Sequence, residues 1–114
     1  MPFPESISWN DFSKIEIRVG TIIHVASFPQ ARKPAYQLTI DFGKSGIKKS
    51  SAQLTSLYKA EDLLHKQIVA VINFPPKQIA NFFSQCLVLG VMADNGDVVL
   101  LQPERSTTNG LKIG

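Results

Sequence analysis

Five basic side chains, Arg32, Lys33, Lys48, Lys49 and Lys77, share the middle of the chain with four neutral hydrogen-bonding residues, Ser51, Gln53, Asn73 and Ser84. Cations of this kind pair with phosphates and give salt-dependent attraction that is largely indifferent to base sequence. Hydroxyls and amides suit ribose hydroxyls or the base edges of an exposed loop. Beside Lys77 stand three aromatic residues, Phe74, Phe82 and Phe83, and aromatic rings are platforms on which bases stack. Phe74 closes an apolar run and reads as core. Two adjacent aromatics in a connecting segment are not easily buried together, so Phe82 or Phe83 is expected to face a base, an apolar peptide or a second subunit. Each residue type also has an ordinary use as solubilising charge, turn cap or core.

The charge is unevenly placed. Residues 32–77 hold eight basic and three acidic side chains, a net +5, whereas each flank is −1, giving the overall +3. A central basic excess suits a polyanion or an acidic partner and speeds its encounter. Lys48 and Lys49 are neighbours on a predicted strand and so face opposite ways. Catalytic patterns are missing. His24 and His65 have no Cys, Asp or Glu at metal-ligand spacing, no glycine-rich phosphate motif occurs, and Cys86, followed by Leu87 and Val88, reads as a buried thiol. Asp94 and Asp97 flank a hairpin tip. The expectation is a binding protein, not an enzyme, with no cofactor and no metal.

The elements that position these residues follow from periodicity. Residues 15–28 alternate into one long strand, with Gly20 expected to mark a bulge or bend. Ser8 followed by Asp11 predicts a capped helical turn that carries Trp9 and Phe12 on one face. Pro29 and Pro34 bracket a loop. Tyr36, Leu38, Ile40 and Phe42 alternate with polar residues in a second strand, and a turn at residues 43–46 leads to a third over 47–52. Leu57, Leu63 and Leu64 predict one or two helical turns before a fourth strand over residues 67–74, which Pro75 and Pro76 end. Residues 77–83 fit a short strand or a turn equally well and are read as a connection. Residues 87–93 and 98–102 flank Asn95-Gly96, a strong hairpin signal. A long bent strand that opens a meander, with a helix after the third strand, fits an all-β, five-stranded Greek-key barrel of the oligonucleotide-binding (OB) fold, with short helical segments and extra C-terminal strands. Such barrels bind through strands two and three and the loops after strands one and four, here residues 29–35 and 75–83.

One domain, residues 1–114, with a short N-terminal extension over residues 1–13, is expected from the length. A self-standing core is within its reach, since folding at this size buries roughly 60 to 70% of the chain's surface. A single cysteine forms no internal disulfide, which favours a reducing, cytoplasmic setting. No apolar run is long enough to span a membrane, and the N-terminal residues lack a leader pattern, so a soluble, unprocessed protein without membrane insertion is expected.

Seven blocks in order, DFSKIEIRVGTI, FPQARKPAYQLTIDFG, GIKKSSAQLT, NFPPKQIA, SQCLVLG, GDVVLLQPE and NGLKIG, resemble the small bacterial tRNA-binding proteins of the CsaA type, relatives of the tRNA-binding domain appended to some methionyl-tRNA synthetases. The resemblance runs from about Asp11 to Gly114. It implies an OB barrel, a homodimer and tRNA binding without chemistry, and for the CsaA branch a chaperone-like affinity for unfolded or export-bound preprotein polypeptides. Ser51-Ala52-Gln53 resembles the CsaA variant of a Ser-Gly pair. Asn73, Pro76 and Lys77 match an Asn-x-x-Pro-Lys stretch of the family's RNA-facing surface, and Ser84 matches the start of its Ser-Glu-x-Met pattern, in which Gln85 and Leu87 depart. Together the residues and the resemblance nominate Arg32, Lys33, Lys48, Lys49, Ser51, Gln53, Asn73, Lys77 and Ser84 for RNA, Phe82 and Phe83 for a base or peptide, and Trp9 and Phe12 for a dimer contact. A purely structural adaptor to a synthetase or translocation component is the remaining alternative.

Overall fold

Alternation in the second and third strands carries straight into structure. In a computed structural model, which describes residues 4–114, β2 (Tyr36–Asp41) and β3 (Ile47–Ala52) pair antiparallel around a 3₁₀ turn at Gly43–Ser45. The long first strand, β1 (Ile17–Ser27), pairs through its second half with β2 and through its first half with β4 (Gln67–Val71). The short β7 (Leu87–Val88) extends the sheet, whose order is β3-β2-β1-β4-β7. Two hairpins stand apart from it, β5 (Lys77–Ile79) with β6 (Phe82–Ser84), and β8 (Gly90–Met92) with β9 (Val98–Leu100). The chain is a nearly closed OB-type barrel with few helical residues.

The barrel closes where β3 meets residues 84–86, and side chains there take over from a regular ladder. Gln85 donates its backbone N–H to the Lys49 carbonyl at 2.7 Å, and its side-chain oxygen accepts the Lys49 N–H at 2.9 Å. Ser84 Oγ accepts the Ser51 N–H at 3.1 Å, and the buried Ser50 hydroxyl donates to the Cys86 carbonyl at 2.9 Å. Inside lie Ile22, Leu38, Ile40, Phe42, Leu63 and Ile68, all without solvent exposure. Leu63 comes from α2 (Ala60–Leu63), the helical turn expected after the third strand. It plugs the interior as α2 packs on β1.

Cys86 belongs to this core, and burial pushes its thiol up to about 11, against the smaller opposing pulls of Ser50 and Lys48. An acid with a raised folded pKa stabilises the fold fully below its unfolded pKa, near 9.0, and that contribution is lost as pH climbs to about 11. Urea unfolding at about pH 8 and about pH 11 should show the native protein losing up to roughly 2 kcal/mol that a Cys86→Ala variant does not lose.

Three expectations about the strands need correction. Gly20 makes no bulge. The register slips between Ile22 and His24, so Ile23 is the extra residue. Gly20 is instead a packing position, where a Cβ would stand 2.6 Å from both Ile40 Cγ2 and Phe42 Cδ1. The fourth strand stops at Val71 rather than at residue 74. Residues 77–83, read as a connection, belong to the β5–β6 hairpin, whose tip holds Ala80 at φ 53°.

A short helix precedes β1, and the C-terminal segment is tied to that strand. Ser8 and Asp11 form a capping box that starts α1 (Trp9–Ser13). The C-terminal segment covers the free edge of β1: Gly110 N–H donates to Val19 at 2.7 Å, Val19 N–H to Leu111 at 3.0 Å and Ile113 N–H to Ile17 at 2.9 Å. Arg18 fastens it, holding Glu16 at 2.6 Å and the Gly110 carbonyl at 3.2 Å. That hydrogen bond from Arg18, aided by the charges of Arg18 and Lys112 and opposed by desolvation, keeps the Glu16 carboxyl below its ordinary value.

Candidate nucleic-acid interface

A second, smaller core builds the site. Phe28 and Ala35, at the ends of the loop after β1, are buried against Phe82 of the hairpin, with Ala31 and Ile79 packed beside them. The Phe28 and Phe82 rings lie 5.3 Å apart and tilted by 58°, a geometry aromatic pairs favour. Cross-strand pairing explains why Phe82 faces inward. It pairs with Ile79, and Lys77 pairs with Ser84, so these four share one face, while Gln78 and Phe83 take the other. Phe82 is therefore 8% exposed and part of the fold, which corrects its nomination for stacking, whereas Phe83 is 55% exposed.

This apolar joint fixes the loop and the hairpin as two walls of one groove of about 940 Å³. Arg32 and Lys33 stand on the loop wall, Lys77 and Gln78 on the hairpin wall, and Ser51 and Gln53 at the end of β3 between them. Among the described residues, none of the three cations enters a salt bridge; the pairs that form involve Lys14, Arg18, Arg105 and Lys112. Positive charge that is concentrated and left unneutralised is suited to an external anion. Five nominated residues thus meet in one place although they are separated by as much as 45 positions in sequence.

The other nominated residues are placed differently. Lys48 and Lys49 lie further down β3, Lys48 half-buried and Lys49 exposed, and neither lines the groove. Asn73 is spent on the fold: its side-chain oxygen accepts the Glu16 N–H at 3.0 Å and its amide donates to the Lys14 carbonyl at 2.7 Å. Ser84 serves the seam through Ser51 and makes a long 3.5 Å contact to the Cys86 carbonyl. Phe74, read as core, is 54% exposed because the strand ends before it. Trp9 is 88% exposed and Phe12 half-buried, on a helix that buries no residue. Gln30 and Gln78 line the groove and were not nominated; an uncharged amide carries no signal in a charge map, although Gln78 follows Lys77 directly.

Next to the groove, sharing Ser51 and Gln53 with it, lies an apolar depression of about 330 Å³ formed mainly by Leu54, Leu87, Val98, Leu100 and Met92. Met92 is 83% exposed. Among the described residues no group of three His, Cys, Asp or Glu could hold a metal ion, and no helix is long and apolar enough to cross a membrane.

Comparison with known proteins gives this geometry a context. Residues 17–112 match a family described as "Putative tRNA binding domain". The methionine–tRNA ligase of Pyrococcus horikoshii is 37% identical over 110 residues, which are 96% of this chain and 15% of that protein. The chain thus spans about a seventh of the length of the curated relatives it matches, and those relatives are enzymes with much sequence outside the shared part. Among solved structures, the chaperone CsaA from Bacillus anthracis str. Ames is 51% identical with a TM-score of 0.92, and that from Picrophilus torridus is 55% identical with a TM-score of 0.89. Each likeness covers 96% of this chain and 100% of the other.

Proposed function

Because this chain belongs to the family of tRNA-binding domains, we propose that it binds tRNA, or RNA folded like it, and performs no chemistry on it. The observation that carries this reading is the groove in which Arg32, Lys33 and Lys77 converge without a carboxylate partner among the described residues. In this account the three cations hold phosphates, and Ser51 and Gln53 offer hydrogen bonds to ribose hydroxyls or unstacked bases. The reading carries a cytoplasmic setting with it, since that is where tRNA is found. Equilibrium binding of the purified protein to bulk tRNA, with duplex DNA as competitor, tests it. Saturable tRNA binding that duplex DNA displaces poorly is expected; equal displacement by DNA would reduce the reading to a non-specific polyanion site.

A homodimer is part of the same proposal. Trp9 exposes 88% of its surface and Ile7 68% on an N-terminal segment that buries nothing, and such residues gain most by meeting a second copy. Sedimentation should give a dimer for the native protein and a monomer for Trp9→Ala, with tRNA binding weakened through lost avidity where one RNA spans both subunits. A monomeric native protein would remove this part of the account.

A second reading, capture of unfolded or export-bound polypeptides, is favoured by the apolar depression around Leu87 and Met92 and by the likeness to proteins described as CsaA chaperones. Burial of apolar side chains strengthens with salting-out ions, whereas phosphate contacts weaken as salt rises. Capture of an unfolded acidic polypeptide that holds or strengthens in sulfate would support this second activity, and absence of capture would dismiss it.

A further inference from the structure

The aromatic residue that reading the sequence assigned to the core stands beside the groove, and its surroundings have the chemistry of a base pocket. Phe74 lines a concave depression of about 310 Å³ with Pro75, Lys77, Ser84, Cys86 and Leu87. Cys86 adds an apolar, largely buried side chain to this lining. Two-thirds of the named lining is apolar, and one residue of it is a cation. That cation, Lys77, also lines the basic groove, so the two depressions meet at its side chain.

We propose that this depression receives one unpaired nucleobase of the bound RNA, stacked on the Phe74 ring, while Lys77 holds the adjoining phosphate. The proposal rests on the tRNA-binding reading and deepens it by naming where a base leaves the RNA surface. Continuity and charge select this occupant. A strand whose phosphates follow Arg32, Lys33 and Lys77 arrives at the mouth of the depression, and a nucleobase is the flat, largely apolar group attached to that strand. Ser84, which lines the same depression, accepts the Ser51 N–H at Oγ and keeps a hydroxyl proton held only by the long 3.5 Å contact to the Cys86 carbonyl, so it can turn to the edge of a base. The β5–β6 hairpin positions Lys77 and Ser84 directly opposite each other, so phosphate and base edge are addressed from one rigid pair.

Titration of bulk tRNA against the native protein and the Phe74→Ala, Phe74→Tyr and Phe74→Leu variants tests this. Removing one stacking platform should weaken binding about tenfold in Phe74→Ala. The salt slope should stay as in the native protein because every phosphate keeps its cation, and Phe74→Tyr should bind as the native protein does while Phe74→Leu does not. Since Phe74 is more than half exposed, the fold of all three should hold, which thermal unfolding checks. Native-like affinity in Phe74→Ala would overturn the proposal, as would equal rescue by Leu and Tyr, which would show an apolar contact without stacking. Loss of unfolded-polypeptide capture with tRNA affinity intact would assign the pocket to a peptide side chain and also overturn it. Failure of the native protein to bind tRNA would overturn the tRNA reading itself, a result distinct from these.

Discussion

Changing Arg32, Lys33 and Lys77 together to alanine is expected to weaken tRNA binding by about 100-fold near physiological salt, at roughly 1 kcal/mol for each exposed cation–phosphate pair removed. The slope of log affinity against log salt should flatten by between about two and three units, because each phosphate no longer neutralised releases about one counterion fewer. The fold should be indifferent. All three side chains are exposed, and none takes part in a salt bridge among the described residues; substitutions of that kind change stability by about 0.5 kcal/mol at most. The parallel variant Lys48→Ala with Lys49→Ala should lose much less, since neither residue lines the groove. A triple variant that keeps both its affinity and its slope would show that RNA binds elsewhere on the molecule.

Replacing Gly20 by valine is expected to cost about 3 kcal/mol or more and to lower Tm by roughly 10 °C or more. The cause is space rather than backbone conformation. A Cβ at this position lies 2.6 Å from Ile40 Cγ2 and from Phe42 Cδ1, and both of those side chains are wholly buried in the barrel core. Neither can swing into solvent, and β1 is held on this stretch by β4 on one side and the C-terminal segment on the other. Gly20→Ala should lie between the native protein and the valine variant, its steric cost partly offset by a stiffer unfolded chain. An unchanged Tm in the valine variant would mean that the strand shifts freely, and the close approach of β1 to β2 would lose its role in the fold.

The barrel was legible because its strands are half-buried. Alternation of Leu38, Ile40 and Phe42 with polar neighbours announces β2, and the charged, serine-rich β3 is identified by the turn that precedes it. The bulge was not legible: Gly20 is the expected signal, but the extra residue is Ile23, which carries no local mark. Nor was the β5–β6 hairpin, whose left-handed tip residue is Ala80 rather than glycine or asparagine. The C-terminal strap on β1 depends on long-range pairing that no window of sequence contains.

Legibility of the site divides along the same line. Arg32, Lys33 and Lys77 could be nominated because charge is visible residue by residue. Asn73 and Ser84 could not be assigned, because a neutral polar side chain serves backbone or ligand equally well, and in the structure both serve backbone. Phe82 and Phe83 are indistinguishable in sequence, and cross-strand register alone turns one to the core and the other outward. Phe74 was misread because the apolar run continues past the last paired residue, Val71, and its exposure follows from where pairing stops.

The central claim is that this groove grips an RNA backbone by charge, and the dependence of tRNA affinity on salt concentration tests it most directly. The account predicts saturable binding whose log affinity falls linearly with log salt, with a slope of at least about two to three units for the three groove cations. Binding that is absent, or that does not change as salt rises, would contradict it.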